Sequence, residues 1–203
     1  MSIVIGVTGE IGSGKTTVCN YICEQYKFEE YAFAHPLKSI AKCFGFTHKE
    51  LYGTQKEKLQ PNEHWGISGR VFMQKFGTEI CRNALPEVMP EMKLNESDSL
   101  WIKLYKIHKA KKIKRNKKSR IVVSDVRFVD ESSAIQEDKG IIIRIIRTVD
   151  DAKGDIHNHS SEKEMKSIHP DITIINDGTL ADLYKKIDSE LNVIMLSCNL
   201  EAM

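Results

Sequence analysis

Apolar residues fall along this 203-residue chain in two alternating rhythms. Four short runs, Ile3–Val7, "IVVSD" at 121–125, "GIIIRIIR" at 140–147 and "DITIIND" at 171–177, are β-branched and too brief for helices, so each predicts a buried strand. "YAFAH" at 31–35 is a fifth candidate. Between them the spacing changes to three and four. Val18, Tyr21 and Ile22 predict a helix ending near Tyr26, and Leu37, Ile40, Ala41 and Phe44 predict one opened by Pro36 and closed by Gly45. Further helices are predicted over Leu100–Lys112, Asp130–Asp138 and Thr179–Ile194, the last with Leu180, Leu183, Ile187 and Leu191 on one face. The apolar pattern also returns from Arg70 through Val71, Phe72, Phe76 and Ile80. Residues 47–69 read as a mobile connection, and "ALPEVMPEMKLNESDS" with its two prolines reads as irregular. Strands alternating with helices predict a single α/β domain over 1–203, three-layered, with a mainly parallel sheet of about five strands flanked by helices. There is no internal repeat.

The first strand runs directly into "GEIGSGKTT" at 9–17, where Gly9, four residues, Gly14, Lys15 and Thr16 fit G-x-x-x-x-G-K-[ST]. That pattern makes the fold one of the P-loop NTPase type. Its glycines, Gly9, Gly12 and Gly14, let backbone N–H groups around Ser13 converge on phosphate oxygens, and the helix N-terminus adds positive potential. Lys15 reaches the β- and γ-phosphates, the Thr16 hydroxyl binds Mg²⁺, and Thr17 is a supporting ATP contact. ATP and Mg²⁺ are therefore the expected cofactors.

Composition alters this picture in two places. The five cysteines, Cys19, Cys23, Cys43, Cys81 and Cys198, are odd in number and lack C-x-x-C spacing, which argues against a disulfide framework or zinc site and for buried apolar roles. Net charge is +2, yet Lys103–Arg120 holds ten Lys/Arg and no acid, leaving 20 basic against 28 acidic residues elsewhere. The basic character is one local block. "KIHKAKKIKRNKKSR" at 106–120 reads either as a nucleic-acid or localisation patch or as the solvated end of a helix; without a groove-reading motif the second is favoured. The N-terminus lacks a basic lead and cleavage site, and no apolar run approaches a membrane span, so a cytoplasmic protein without membrane contact is expected, in the host cell if viral.

Other residues suit phosphoryl transfer. Asp125 ends a strand where a carboxylate holds Mg²⁺ or its water; the competing reading is a cap for the next helix. Arg127 and Arg147 also stand at strand ends, where cations offset the repulsion between donor and acceptor phosphates. A monophosphate acceptor is already anionic near pH 7, with a second pKa of about 6, so no general base is required. "HNHSSE" at 157–162 invites a metal reading, but H-x-H without a matching acid or cysteine pattern fits a polar covering segment better.

Taken in order, the loop at 9–16, "AFAHPLK" at 32–38, "RVFMQKFGTE" at 70–79, Trp101, "SDVRF" at 124–128, Arg147, "HSSE" at 159–162 and "INDG" at 175–178 resemble the deoxynucleoside monophosphate kinases of tailed phages and large DNA viruses. The resemblance covers about Ile3 to Leu191 and implies a monophosphate-binding insertion at about 36–118 and a lid at about 148–168. It further implies that Lys15, Asp125, Arg127 and Arg147 are catalytic, with Arg147 coming from the cover. Lys38, Arg70, Gln74, Glu79, Trp101 and Arg127 would face the deoxynucleoside monophosphate, with Arg82 a less secure member, while Asn176 and Gly178 would lie beside the adenine. A homodimer is also implied. The basic insertion at 106–118 and the segment between Gly45 and Gly69 depart from the family pattern, which leaves base preference open.

The expected activity is ATP-dependent phosphorylation of deoxynucleoside monophosphates to diphosphates. Phosphomevalonate or dephospho-coenzyme A kinase chemistry is the nearest alternative on the same loop and sheet. A switch GTPase would carry N-K-x-D after a strand; here "NKKS" at 116–119 lacks the aspartate and precedes one.

Overall fold

The structure, a computed structural model, describes residues 2–94, 98–147 and 164–200, with side chains through Ser197. Its centre is β1 (Ile3–Thr8), every residue of which is buried. The strand has parallel neighbours on both sides, β3 (Arg120–Val123) in register Ile3 to Arg120 and β4 (Ile141–Arg147) in register Ile5 to Ile141. Adding β2 (Glu29–Tyr31) and β5 (Ile172–Asn176) gives a five-stranded parallel sheet of order β2-β3-β1-β4-β5. A strand paired on both edges and covered on both faces has no solvated side, which is why its sequence is a continuous apolar run.

One face is covered by α1 (Lys15–Tyr26) and a long closing helix, Leu180–Leu200, through Val18, Ile22, Leu183, Ile187 and Leu191 packed on Ile5, Val7 and Ile143. On the other face a helix at Val129–Gln136 approaches so closely that a Cβ on Gly6 would lie 2.9 Å from Ile135 Cδ1. The sheet and these helices make the expected three-layer α/β arrangement.

The chain divides into two compact units, residues up to Ala32 with those from Lys106 onward, and Phe33–Tyr105. The helix Leu100–Arg115 runs from one into the other. In the second unit α2 (Ala34–Cys43) packs Ala41 against Phe72 of a helix at Gly69–Gln74, with Phe46 and Leu51 completing a small core. That helix continues without a break into a ten-residue π-helical segment, Lys75–Ala84.

Several elements differ from the sequence reading. β2 ends at Tyr31, where the strand predicted at 31–35 was to start; Tyr31 O accepts the last ladder-side bond from Ser124 N, and α2 begins at Ala34. Pro36 falls inside the first helical turn, where an N–H has no intrahelical partner, so the helix opens ahead of it. Residues 47–69 are ordered by two short helices, His48–Tyr52 and Gln55–Leu59, each opened by a Thr-x-x-Glu capping box, and by a bridge between Pro61 and Ser68. The two prolines after Ala84 open a helical turn, Leu85–Val88, and a 3₁₀ turn, Pro90–Met92. Cys19 and Cys81 are buried, but Cys23 is half-buried and Cys43 is exposed on the outer side of α2; the side chain of Cys198 lies outside the described residues.

Candidate active site

The loop between β1 and α1 is shaped by glycines and braced by side chains from distant strands. Gly9 has φ +145°, and a Cβ there would stand 2.3 Å from Ile145 O, so no other residue fits without moving β4. Asn176 Nδ2, at the end of β5, donates to Ser13 O at 3.0 Å, and Arg147 Nη1, at the end of β4, donates to Gly12 O at 3.5 Å. Lys15 Nζ donates to Gly9 O at 2.5 Å and Glu10 O at 2.6 Å. Thr16 is exposed and Thr17 half-buried on the first turn of α1.

The start of α1 carries no compensating negative group. Gly14, its N-cap, has no side-chain cap, and there is no acid in the first turn, so the first N–H groups and the positive end of the helix dipole are left for an external anion. Beside them the Ser13 hydroxyl is buried without a hydrogen-bond partner among the described residues. Donors converging on one loop with an unused hydroxyl among them fit a phosphate chain.

Asp125 follows the carboxyl end of β3, next to β1 in the sheet. The buried Cys19 thiol of α1 reports the local field: burial pushes its pKa far up, Asp125 adds to that and Lys15 opposes it. Burial likewise raises the Tyr31 phenol, with Asp125 and Glu131 contributing. The helix after Asp125 starts at Val129, and the carboxylate at its entrance is Glu131, which accepts from Arg127 N at 2.9 Å and Phe128 N at 3.2 Å. The capping duty that competed for Asp125 thus belongs to Glu131.

Apart from Arg127, which belongs to the first unit, the residues expected at the acceptor lie in the second unit. Lys38 is on α2, its Nζ 4.0 Å from the centroid of the Tyr52 ring. Arg70 and Gln74 stand four apart on the helix packed against α2, with Arg70 Nη1 donating to Gln55 Oε1 at 2.9 Å. Glu79 is exposed on the π-helical segment, and Arg82 is half-buried there. Trp101 is buried, its Nε1 donating to Gly77 O at 3.0 Å, which ties the π-helical segment to the helix Leu100–Arg115. Gly178 belongs to the turn before the closing helix, beside Asp182. The histidines at 157 and 159, "HSSE" and positions 148–163 of the lid expected at about 148–168 lie outside the described residues.

The family model for deoxynucleotide monophosphate kinases matches residues 42–187. This chain belongs to that family. A relative from Acanthamoeba polyphaga mimivirus, described as a candidate deoxynucleotide monophosphate kinase, is 34% identical over 193 residues, spanning 92% of this chain and 95% of its own. Among solved structures, shikimate kinase from Aquifex aeolicus aligns over 96% of this chain and 99% of its own at 13% identity and TM-score 0.49. Dephospho-CoA kinase from Campylobacter jejuni aligns over 96% and 98% at 17% identity and TM-score 0.47.

In this kinase no group of three or more His, Cys, Asp and Glu side chains suited to a metal occurs among the described residues. No helix among the described residues is long and apolar enough to cross a membrane. Two residues without a role in the sequence reading also contribute to the site. Glu131 fixes the backbone at Arg127, a pairing signalled by its place three residues after Phe128, and Arg144 Nη2 donates to Met165 O at 3.2 Å and Ile168 O at 2.5 Å, fastening the chain where it returns to the sheet. A cation in the middle of the apolar run of β4, three residues before Arg147 at its end, is the signal for Arg144.

Proposed function

We propose that this kinase transfers the γ-phosphoryl group of ATP directly to a deoxynucleoside monophosphate, giving ADP and the diphosphate. The observation that carries the reading is the braced glycine loop opening an uncapped helix, in a chain of the deoxynucleotide monophosphate kinase family. The loop N–H groups and Lys15 bind the β- and γ-phosphates, while Arg147, already on the loop through Gly12 O, adds positive charge as the phosphoryl group moves. Thr16 and Asp125 would hold Mg²⁺, which when bound neutralises the phosphates and orients them. In the second unit Lys38 and Arg70 bind the monophosphate, Gln74 reads its base or sugar, and Glu79 with Trp101 completes the pocket. Arg127 serves the acceptor phosphate. The acceptor is an anionic nucleophile, so rate enhancement comes from positioning and charge and not from a base.

The test is ADP formation from ATP and Mg²⁺ with dTMP, dGMP, dCMP, dAMP and the ribonucleotides offered one at a time. Turnover that depends on a deoxynucleotide supports the reading. Absence of turnover with every nucleotide overturns the acceptor assignment and leaves only the loop.

A further inference from the structure

At the amino ends of the strands a second concave site occurs, a pocket of about 420 Å³. It lies where α1 stops, where the helix Leu100–Arg115 stops, and where Ser119 O receives Ile3 N at the start of β1. The phosphate loop is at the other end of β1, about 17 Å away along a six-residue strand.

Five cations line this pocket, Lys27, Lys112, Arg115, Lys118 and Arg120, against one carboxylate, Glu29, which pairs with Lys112. Arg120 Nη1 is held on Tyr26 O and Lys27 Nζ on Glu24 O, whereas Arg115 and Lys118 have no ion-pair partner among the described residues and are exposed. The plain explanation, that the cations complement helix C-termini, accounts for only part of the charge. Two helix ends at about half a negative charge each, with Glu29, offset roughly two of the five. About three positive charges remain, more than one phosphate monoester of about −2 would neutralise.

Two details point to a ligand inside the cavity. Ser119 lines it and is buried, and its Oγ has no hydrogen-bond partner among the described residues. Lys27 holds the C-cap of α1 at φ +58°, a left-handed position that glycine or asparagine normally takes, and so brings a cation to the pocket at a backbone cost. No aromatic ring lines the pocket to stack a base, and its cations converge on one cavity instead of following a line, as a nucleic-acid strand requires.

We propose that this pocket binds the oligophosphate chain of a small ligand, the chemistry of a nucleoside triphosphate tail, at a site separate from the phosphate loop. Sodium tripolyphosphate titrated into the ¹⁵N-labelled full chain at constant ionic strength tests it, read amide by amide. A saturable set of shifts at 27–29 and 112–120, with a dissociation constant distinct from that of residues 9–16, is expected. Arg115→Gln with Lys118→Gln weakens only this second set, at least tenfold, and leaves turnover at saturating substrates unchanged. Lys27→Gly weakens it several-fold while the melting temperature holds or rises, because glycine suits the left-handed backbone; that separates a binding role from a structural one. Absence of the second set, or its indifference to the double substitution, overturns the proposal. A single-stranded oligonucleotide that shifts the same amides at lower concentration than tripolyphosphate also overturns it, in favour of a nucleic-acid surface.

Discussion

In the proposed function, the phosphate loop and the acceptor region would solve the same electrostatic problem by different means. Around the loop the anion would be met by backbone N–H groups whose directions are set by Gly9 and Gly14 and locked by Arg147 of the adjacent β4 and Asn176 of β5 beyond it. In the second unit the expected contacts, Lys38, Arg70 and Gln74, are side chains projecting from short helices around a four-residue buried core, with a π-helical segment held by one indole N–H. Backbone recognition admits little change because a peptide group cannot be substituted, whereas a side-chain surface can be retuned residue by residue. The first suits a donor common to many enzymes, the second an acceptor that differs among them.

The largest test of this contrast is Lys15→Ala, expected to lower kcat by about 10²–10³ with the fold kept and a circular dichroism melt only slightly lowered, since one charge on the transferring group is lost together with two hydrogen bonds to loop carbonyls but no core contact. Gly9→Ala attacks the backbone instead. With its Cβ driven into Ile145 O, the variant should bind ATP at least tenfold more weakly and melt at lower temperature, by a strain of about 1–3 kcal/mol. If ATP binding survives intact, rigidity of the loop is not what holds the nucleotide.

Trp101→Phe probes the other region. Removing the donor to Gly77 O should cost about 1–2 kcal/mol in stability and raise the acceptor KM while the dissociation constant for ATP stays unchanged. Asn176→Ala does the reverse on a smaller scale, weakening ATP about fivefold through one lost hydrogen bond to Ser13 O and leaving acceptor KM alone.

The smallest effect is on pH. Hydrogen bonds from Thr47 and Asn62 outweigh the upward push of burial on Glu50, and bonds from Thr54 lower Glu57, so both carboxyls sit below their ordinary range in the fold. Their stabilisation is present above the unfolded value of about 4.3 and is lost as pH falls through the lower folded one. Hydrogen-exchange protection over 47–62 should therefore decline on acidification below about pH 4 before that of β1 and β4 does.

What could be read from the sequence follows the same division. The strand, loop and first helix were legible because fixed spacing and a continuous apolar run dictate them, and the five strands were countable for the same reason. β2 slipped because Tyr31–Phe33 is apolar on both sides of the strand end, so pattern alone does not mark where the ladder stops. The ordered pieces within 47–69 did have a signal, Thr47 to Glu50 and Thr54 to Glu57, concealed by a composition that resembles a loop. The π-helical segment had none, since its apolar positions Phe76, Ile80 and Cys81 fit an ordinary helix equally well. Which residues brace the loop was also hidden, because Asn176 reaches Ser13 across 163 residues of chain.

That long reach bears on how the enzyme comes into being. The strand made first, β1, is the middle of the sheet, and its neighbours begin only at Arg120 and Ile141. At roughly 5–20 residues per second a ribosome needs on the order of ten seconds to supply them, and longer before Asn176 emerges to hold Ser13. Until then the glycine sequence is present but has nothing to hold its shape. A nascent or prematurely terminated chain should thus be unable to grip nucleotide, and the newborn protein gains that ability in one step as its last strand docks.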